Sequence, residues 1–127
     1  RETEVIGDPA LAARLRDLGV DLHLSGHHHA FYPGAADGVA LVSVACLGSG
    51  PRALIGTDER SSHGIVLIDI AADGGIVVQG LAGPDFTHAV DVTRLPPRIV
   101  SPAATLTRLD LAGLAGVTAG FEPAAGR

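Results

Sequence analysis

The 127-residue sequence contains no methionine, no tryptophan and a single cysteine, Cys46. One cysteine excludes a disulfide bond within the chain. All nine basic residues are arginines without a run among them, and the net charge is −5. This distribution argues against a nucleic-acid footprint. The four aromatic residues are also too few for a surface on which bases stack.

Long apolar runs and a typical leader are also missing from the sequence. The longest mainly apolar stretch, 39–47, is much shorter than the roughly 20 residues of a membrane helix, so no membrane segment is expected. The chain starts with Arg1 instead of methionine, and its first residues do not resemble a signal peptide. We therefore expect a piece of a longer soluble protein, whose compartment the sequence leaves open.

The first half of the chain predicts one helix followed by strands. Residues 10–18 follow Asp8 and Pro9, carry one leucine stripe and end at Gly19, as a short helix would. Residues 20–25 alternate in polarity and predict a strand. A loop is expected over 26–38, and the apolar residues 39–47 predict a strand buried on both faces.

The second half predicts a hairpin and then an irregular tail. Strands are expected over 65–70 and 76–79, joined by a turn at 72–75. Prolines interrupt the pattern after residue 82, so 83–127 is expected to be an extended or partly disordered tail with a weak helix around 103–112. The prediction is a β-rich α/β fold in which 1–82 forms the structured part.

Four of the six histidines lie within seven residues, at His23, His27, His28 and His29. Neutral imidazole is the commonest metal ligand among side chains. On an extended or turning backbone, His27 and His29 can direct their rings to one side and His28 to the other. The pattern indicates a metal site on His27 and His29, although an incidental surface cluster of histidines is the alternative.

Three other classes of protein with a His-x-His pair do not fit the sequence. A cupin needs a glutamate a few residues after the pair, and the first one downstream is Glu59. A histidine-triad hydrolase needs a third histidine where Phe31 stands. An amidohydrolase barrel needs seven further strand–helix units, which the remaining residues cannot supply.

The string that runs from Leu15 through Val20-Asp21-Leu22-His23-Leu24-Ser25-Gly26-His27-His28-His29 to Pro33 resembles the last metal-binding motif of calcineurin-like metallophosphoesterases. The following Ala-Phe-Tyr is most similar to the purple-acid-phosphatase-like branch, and the resemblance covers residues 8–82. It implies that the chain is the carboxy-terminal part of a four-layer αββα sandwich.

The resemblance also implies roles for individual residues. His27 would bind the metal shared with an asparagine ligand, and His29 would bind the second metal. His28 and Tyr32 are candidates for supporting the ligands or contacting the substrate, with bare surface as the alternative for His28. Asp21 and His23 could instead match the first motif of the family, but the sequence has no asparagine for the motif that must follow. We therefore expect His23 to be an ordinary strand residue.

The predicted function is that of a metal-dependent phosphoesterase that hydrolyses phosphate esters with a water activated by two metal ions (Fe, Mn or Zn). This chain would supply two histidine ligands and no further catalytic residue. Its partners would be the phosphoester substrate and the missing amino-terminal half of the domain, so the fragment alone should be inactive. The alternative is a small non-enzymatic module that binds a metal or another protein through its histidine loop.

Overall fold

The computed structural model describes residues 8–102 and 104–120. Within these residues one helix precedes nine short strands, and a single 3₁₀ turn lies at Val92–Arg94. The elements are α1 (Leu11–Asp17), β1 (Leu22–Ser25), β2 (Tyr32–Ala36), β3 (Val39–Ser43), β4 (Gly64–Ile70), β5 (Ile76–Ala82), β6 (His88–Ala89), β7 (Arg98–Val100), β8 (Thr105–Arg108) and β9 (Val117–Ala119).

The helix α1 begins and ends close to where the sequence predicts. The Asp8 carboxylate accepts a hydrogen bond from the Ala10 amide at 2.9 Å just before the first turn. At the other end Gly19 has φ +78°, a left-handed conformation that glycine adopts without a Cβ clash. The amides of Gly19 and Val20 donate to the carbonyls of Arg16 and Leu15, which is a Schellman motif. The chain is thereby turned directly into β1.

Five strands form the first sheet in the order β1-β3-β2-β8-β7. The pair β1–β3 is parallel, and the other neighbours are antiparallel. All five residues of β3 are buried, which confirms the predicted double-sided burial, although the strand ends at Ser43 and the chain is irregular from there to His63.

The loop predicted over 26–38 is wrong in its second part, because Tyr32–Ala36 is strand β2. This strand pairs with β3 from Tyr32↔Ser43 to Ala36↔Val39, so only Asp37 and Gly38 connect the two. Both have positive φ, +50° and +79°. These angles make a type I′ turn, for which Asp-Gly is a favoured sequence.

The second sheet contains β4, β5, β6 and β9. The predicted hairpin is confirmed: β4 and β5 are antiparallel from Gly64↔Ala82 to Ile70↔Ile76. On the other side of β5, the short strands β6 and β9 pair with its two ends, antiparallel and parallel respectively.

Two apolar clusters show how the layers pack. In β3, Ala40 and Val42 join a cluster with Val78 and Val117 of the second sheet, so this cluster lies between the two sheets. The alternate residues Val39 and Leu41 pack with Ala12 of α1, Ile99 and Leu106. The first sheet is therefore covered by the second sheet on one face and by α1 on the other.

The residues after Ala82 belong to both sheets. The sequence predicted an extended or partly disordered tail here, and the described residues are extended, but as strands β6 to β9. The weak helix around 103–112 is wrong, because Thr105–Arg108 is β8 and pairs with both β2 and β7. The residues Pro84, Pro96, Pro97 and Pro102 lie outside these strands, so they interrupt the strand pattern without ending the fold. Residues 121–127 of the predicted tail lie outside the described residues.

The described residues therefore form a small β-rich α/β domain with two mixed sheets and one helix. No helix within residues 8–102 and 104–120 is long and apolar enough to cross a membrane.

Candidate metal centre

The three consecutive histidines occupy a tight turn at the carboxyl end of β1. The parallel pair β1–β3 ends at Ser25↔Ser43, and the amide of Val44 still donates to the Ser25 carbonyl at 2.9 Å. His27 and His29 then adopt φ values of +76° and +55°. Positive φ is uncommon for a residue with a Cβ and costs of the order of 1–2 kcal/mol. Such conformations cluster at functional sites, and the carboxyl ends of strands are where α/β sheets bind ligands.

The ring of His29 is held by the backbone of a neighbouring loop. Its Nδ1 lies 3.1 Å from the carbonyl oxygen of Gly50. A carbonyl oxygen can only accept, so Nδ1 carries the proton of this contact and the neutral ring keeps its lone pair on Nε2. The amide of Arg52 also donates to the carbonyl of His29 at 3.1 Å. A histidine that binds a metal typically donates its other ring N–H in this way.

A second histidine is fixed on the adjacent carbonyl of the same loop. His63 Nε2 lies 2.9 Å from the carbonyl oxygen of Ser49, and the Sγ of Cys46 lies 3.0 Å from that oxygen. Sequence reasoning did not connect His63 with the histidine turn. The separation of 34 residues between His29 and His63 offers no sequence signal for this proximity.

The remaining candidate residues face the helix side of the first sheet. His28, Tyr32 and His23 line one cavity of about 200 Å³, together with Ser25 and Leu41. His28 is half-buried there, whereas His27 is exposed. The lining of this cavity therefore includes His23 and His28 but not His29.

Tyr32 is a core residue whose hydroxyl is used within the fold. The side chain is 1 % exposed, and its hydroxyl donates to the carbonyl of Pro96 at 2.9 Å. Burial raises the pKa of the Tyr32 phenol to about 12, because the charged phenolate would lose its hydration. The ring can shape the cavity beside His28, but the hydroxyl is committed to Pro96.

The described residues alone do not make a complete metal site. Among residues 8–102 and 104–120, no three side chains of histidine, cysteine, aspartate or glutamate are placed to hold one ion. Imidazole nitrogens suit Fe and Zn, and mixed histidine and carboxylate ligation also suits Mn, but two histidines cannot complete the coordination of an ion. The chemistry of the donors fits two ligands of a larger set.

Known proteins provide no independent evidence for this site. The chain matches no family model, no curated protein and no solved structure at a significant level.

Proposed function

We propose that the chain is the carboxy-terminal part of a metal-dependent phosphoesterase and that His27 and His29 are two of its metal ligands. The observation that carries this proposal is the anchored ring of His29, which directs a proton to Gly50 and leaves Nε2 as a donor to a metal. It stands in a strained turn at the carboxyl end of a parallel strand pair. When bound, two metal ions would supply an activated water and neutralise the charge on the phosphoryl oxygens.

This chain's own contribution would be to position the ligands before the metals bind. The Gly50 carbonyl fixes the orientation and tautomer of His29, and the left-handed conformations of His27 and His29 set where their rings leave the backbone. A preorganised site avoids the cost of ordering these groups during the reaction. Tyr32 supports the same region from the core instead of contacting the substrate with its hydroxyl.

The first sheet also has room for the rest of the domain. Within the described residues β1 pairs with β3 alone, so it is an edge strand with a parallel neighbour. Leu24 on this edge strand is 47 % exposed. Parallel strands normally lie inside sheets covered on both sides. We propose that the amino-terminal half of the domain adds strands along β1 and supplies the missing metal ligands, which would complete the four-layer sandwich.

The test uses the longest natural chain that contains these residues, purified and supplied with Mn²⁺, Zn²⁺ or Fe. We expect hydrolysis of a simple aryl phosphate, and a loss of more than about 100-fold in His27→Ala or His29→Ala, because even the loss of a supporting group costs 10- to 100-fold. His88→Ala is the matched control, since His88 lies on the surface with a side chain 77 % exposed.

Two results decide against the proposal. One is full activity in both the His27→Ala and His29→Ala variants. The other is a coding sequence upstream that lacks the family's Asp-x-His, Gly-Asp-x-x-Asp and Gly-Asn-His motifs. Stoichiometric metal binding that raises the unfolding midpoint without any hydrolysis would instead support the small metal-binding module.

A further inference from the structure

A cleft lined in part by His63 has a volume of about 640 Å³ and lies between the 54–63 loop, one end of β4 and β5, and the 89–96 segment. The hydroxyl of Ser61, which lines the cleft, accepts a hydrogen bond from the Phe31 amide at 3.4 Å. His63 lines the cleft and also contacts the Ser49 carbonyl, next to the Gly50 carbonyl that holds His29. One end of the cleft therefore adjoins the loop that orients the proposed metal ligand.

The walls of this cleft combine apolar and polar side chains in similar proportion. The lining includes five aliphatic side chains: Leu54, Ile65, Leu81, Val90 and Leu95. Ligand sites of this size, within the common range of about 300–1,000 Å³, combine apolar walls with a few polar groups that set orientation. A small polyol or bare phosphate would leave these walls in contact with water.

The polar lining carries charges of both signs. Arg60 and Arg94 supply donors, while Glu59 and Asp91 supply acceptors. The Asp91 carboxylate accepts hydrogen bonds from the amide and hydroxyl of Thr93, at 3.0 and 2.6 Å, and these contacts lower its pKa. Asp91 therefore stays ionised near neutral pH and offsets one arginine. With two cations and two carboxylates, the lining does not favour a second strongly anionic group.

We propose that this cleft binds the nucleoside of a nucleoside monophosphate ester, an inference that rests on the proposed phosphoesterase function for the position of the phosphate. A purine or pyrimidine is flat with apolar faces that suit the aliphatic walls, and arginine guanidinium groups stack on such faces. Its edges present neutral donors and acceptors that suit Arg60, Arg94, Glu59 and Asp91. A lipid chain would offer these four charged groups no hydrogen-bond partner, and a polyphosphate would meet both carboxylates.

The first experiment measures nucleoside binding without catalysis. Adenosine and uridine, which carry no phosphate, are titrated calorimetrically into the longest natural chain that contains these residues. We expect at least one to bind, and Ser62→Trp to weaken it by about tenfold or more, because Ser62 lines the cleft and a tryptophan ring there would fill part of its volume. The matched control is Arg98→Ala, an exposed residue on β7 that does not line the cleft.

A second variant guards against misfolding of the first. Arg60→Ala with Arg94→Ala removes two exposed side chains and is expected to weaken binding by about tenfold or more, since the base would lose its contacts with both guanidinium groups. Failure of both nucleosides to bind would overturn the inference, as would unchanged affinity in a folded Ser62→Trp and in the double arginine variant.

Hydrolysis then separates this inference from the proposed function. We expect Ser62→Trp to raise the KM for a nucleoside monophosphate about tenfold or more and to leave the KM for a small aryl phosphate within about twofold. Equal effects on both substrates would overturn the inference while the phosphoesterase function stands. Nucleoside binding in the cleft without hydrolysis of any phosphoester would overturn the proposed function but not the nucleoside site.

Discussion

Tyr32 offers a direct optical test of the packing beside the histidine turn, because it is the only tyrosine and the sequence has no tryptophan. Burial raises its pKa from 10.0 to about 12, so the folded state favours the neutral phenol. The contribution of the neutral Tyr32 phenol to the stability of the folded state is complete below pH 10, and it is lost as the pH rises through the pKa of Tyr32 in the folded state. We expect phenolate absorbance of the native chain to appear near pH 12, and near pH 10 in denaturant.

The control for the tyrosine titration is the circular dichroism spectrum recorded at each pH. If phenolate appears near pH 10 while the fold persists, the hydroxyl is not buried against Pro96. In that case Tyr32 would again be a candidate for contact with the substrate.

Gly80 of β5 illustrates how closely the two sheets approach. A Cβ placed on this residue would lie 2.7–2.9 Å from three ring atoms of Phe31, a side chain that is only 4 % exposed. Overpacking of this kind typically costs about 1–3 kcal/mol. We expect Gly80→Ala to lower the free energy of unfolding by that amount, measured by chemical denaturation.

Gly48 provides the matched control for Gly80. A Cβ on Gly48 would meet no atom within 4 Å, so Gly48→Ala should leave the free energy of unfolding almost unchanged. The contact can also be tested from its other side. A smaller side chain in Phe31→Leu should leave room for the new Cβ and make Gly80→Ala less costly. Equal stability of Gly80→Ala and Gly48→Ala would contradict the observed packing.

At the scale of elements, the Asp37-Gly38 turn determines the register between β2 and β3. Gly38 has φ +79°, where a residue with a Cβ pays roughly 1–2 kcal/mol. We expect Gly38→Ala to reduce the free energy of unfolding by about 1 kcal/mol in a thermal or chemical denaturation experiment. Asp37→Asn should be neutral or stabilising, since Asn-Gly suits the same turn. A destabilised Asp37→Asn with an unaffected Gly38→Ala would show that the turn is of another type.

The helix and the strands differ in how well the sequence predicts them. α1, β1, β3 and the β4–β5 hairpin follow from apolar periodicity and turn residues, although β3 ends four residues before its predicted end and β5 ends three residues after it. β2 was missed because Pro33 and Gly34 are typical of loops, although Asp-Gly before an apolar strand is itself a hairpin signal. β6 to β9 have two to four residues each, which is too short for a period-2 pattern to separate strand from loop.

The candidate site is also only partly predictable from the sequence. His27 and His29 can be selected from the sequence because they lie two residues apart and follow a strand. The position of His63 beside the Gly50 loop depends on the pairing of β4 with β5 and on the path of the 44–63 segment, which no local pattern encodes. The cleft next to it is likewise formed by segments far apart in the sequence.

At the scale of the whole molecule, the segment after Ala82 is required by both sheets. Val92, Ile99, Leu106, Leu109 and Val117 of this segment are all buried. We expect a chain that ends at Ala82 to lose cooperative thermal unfolding monitored by circular dichroism, since β2 would lose β8 and the core between the sheets would open. A truncated chain with an unchanged midpoint would show that residues 1–82 fold independently.

The place of β8 in the first sheet has a consequence during synthesis. The strand β2 ends at Ala36, and β8, which pairs with its second edge, begins only at Thr105. At about 5–20 residues per second, a ribosome leaves that edge without its partner for roughly 3–14 s. Pro33 directs its carbonyl toward this edge, where the Leu109 amide later donates to it at 2.8 Å, but proline has no amide hydrogen to offer there. The nascent hairpin thus presents an interrupted template to other chains until its own β8 arrives.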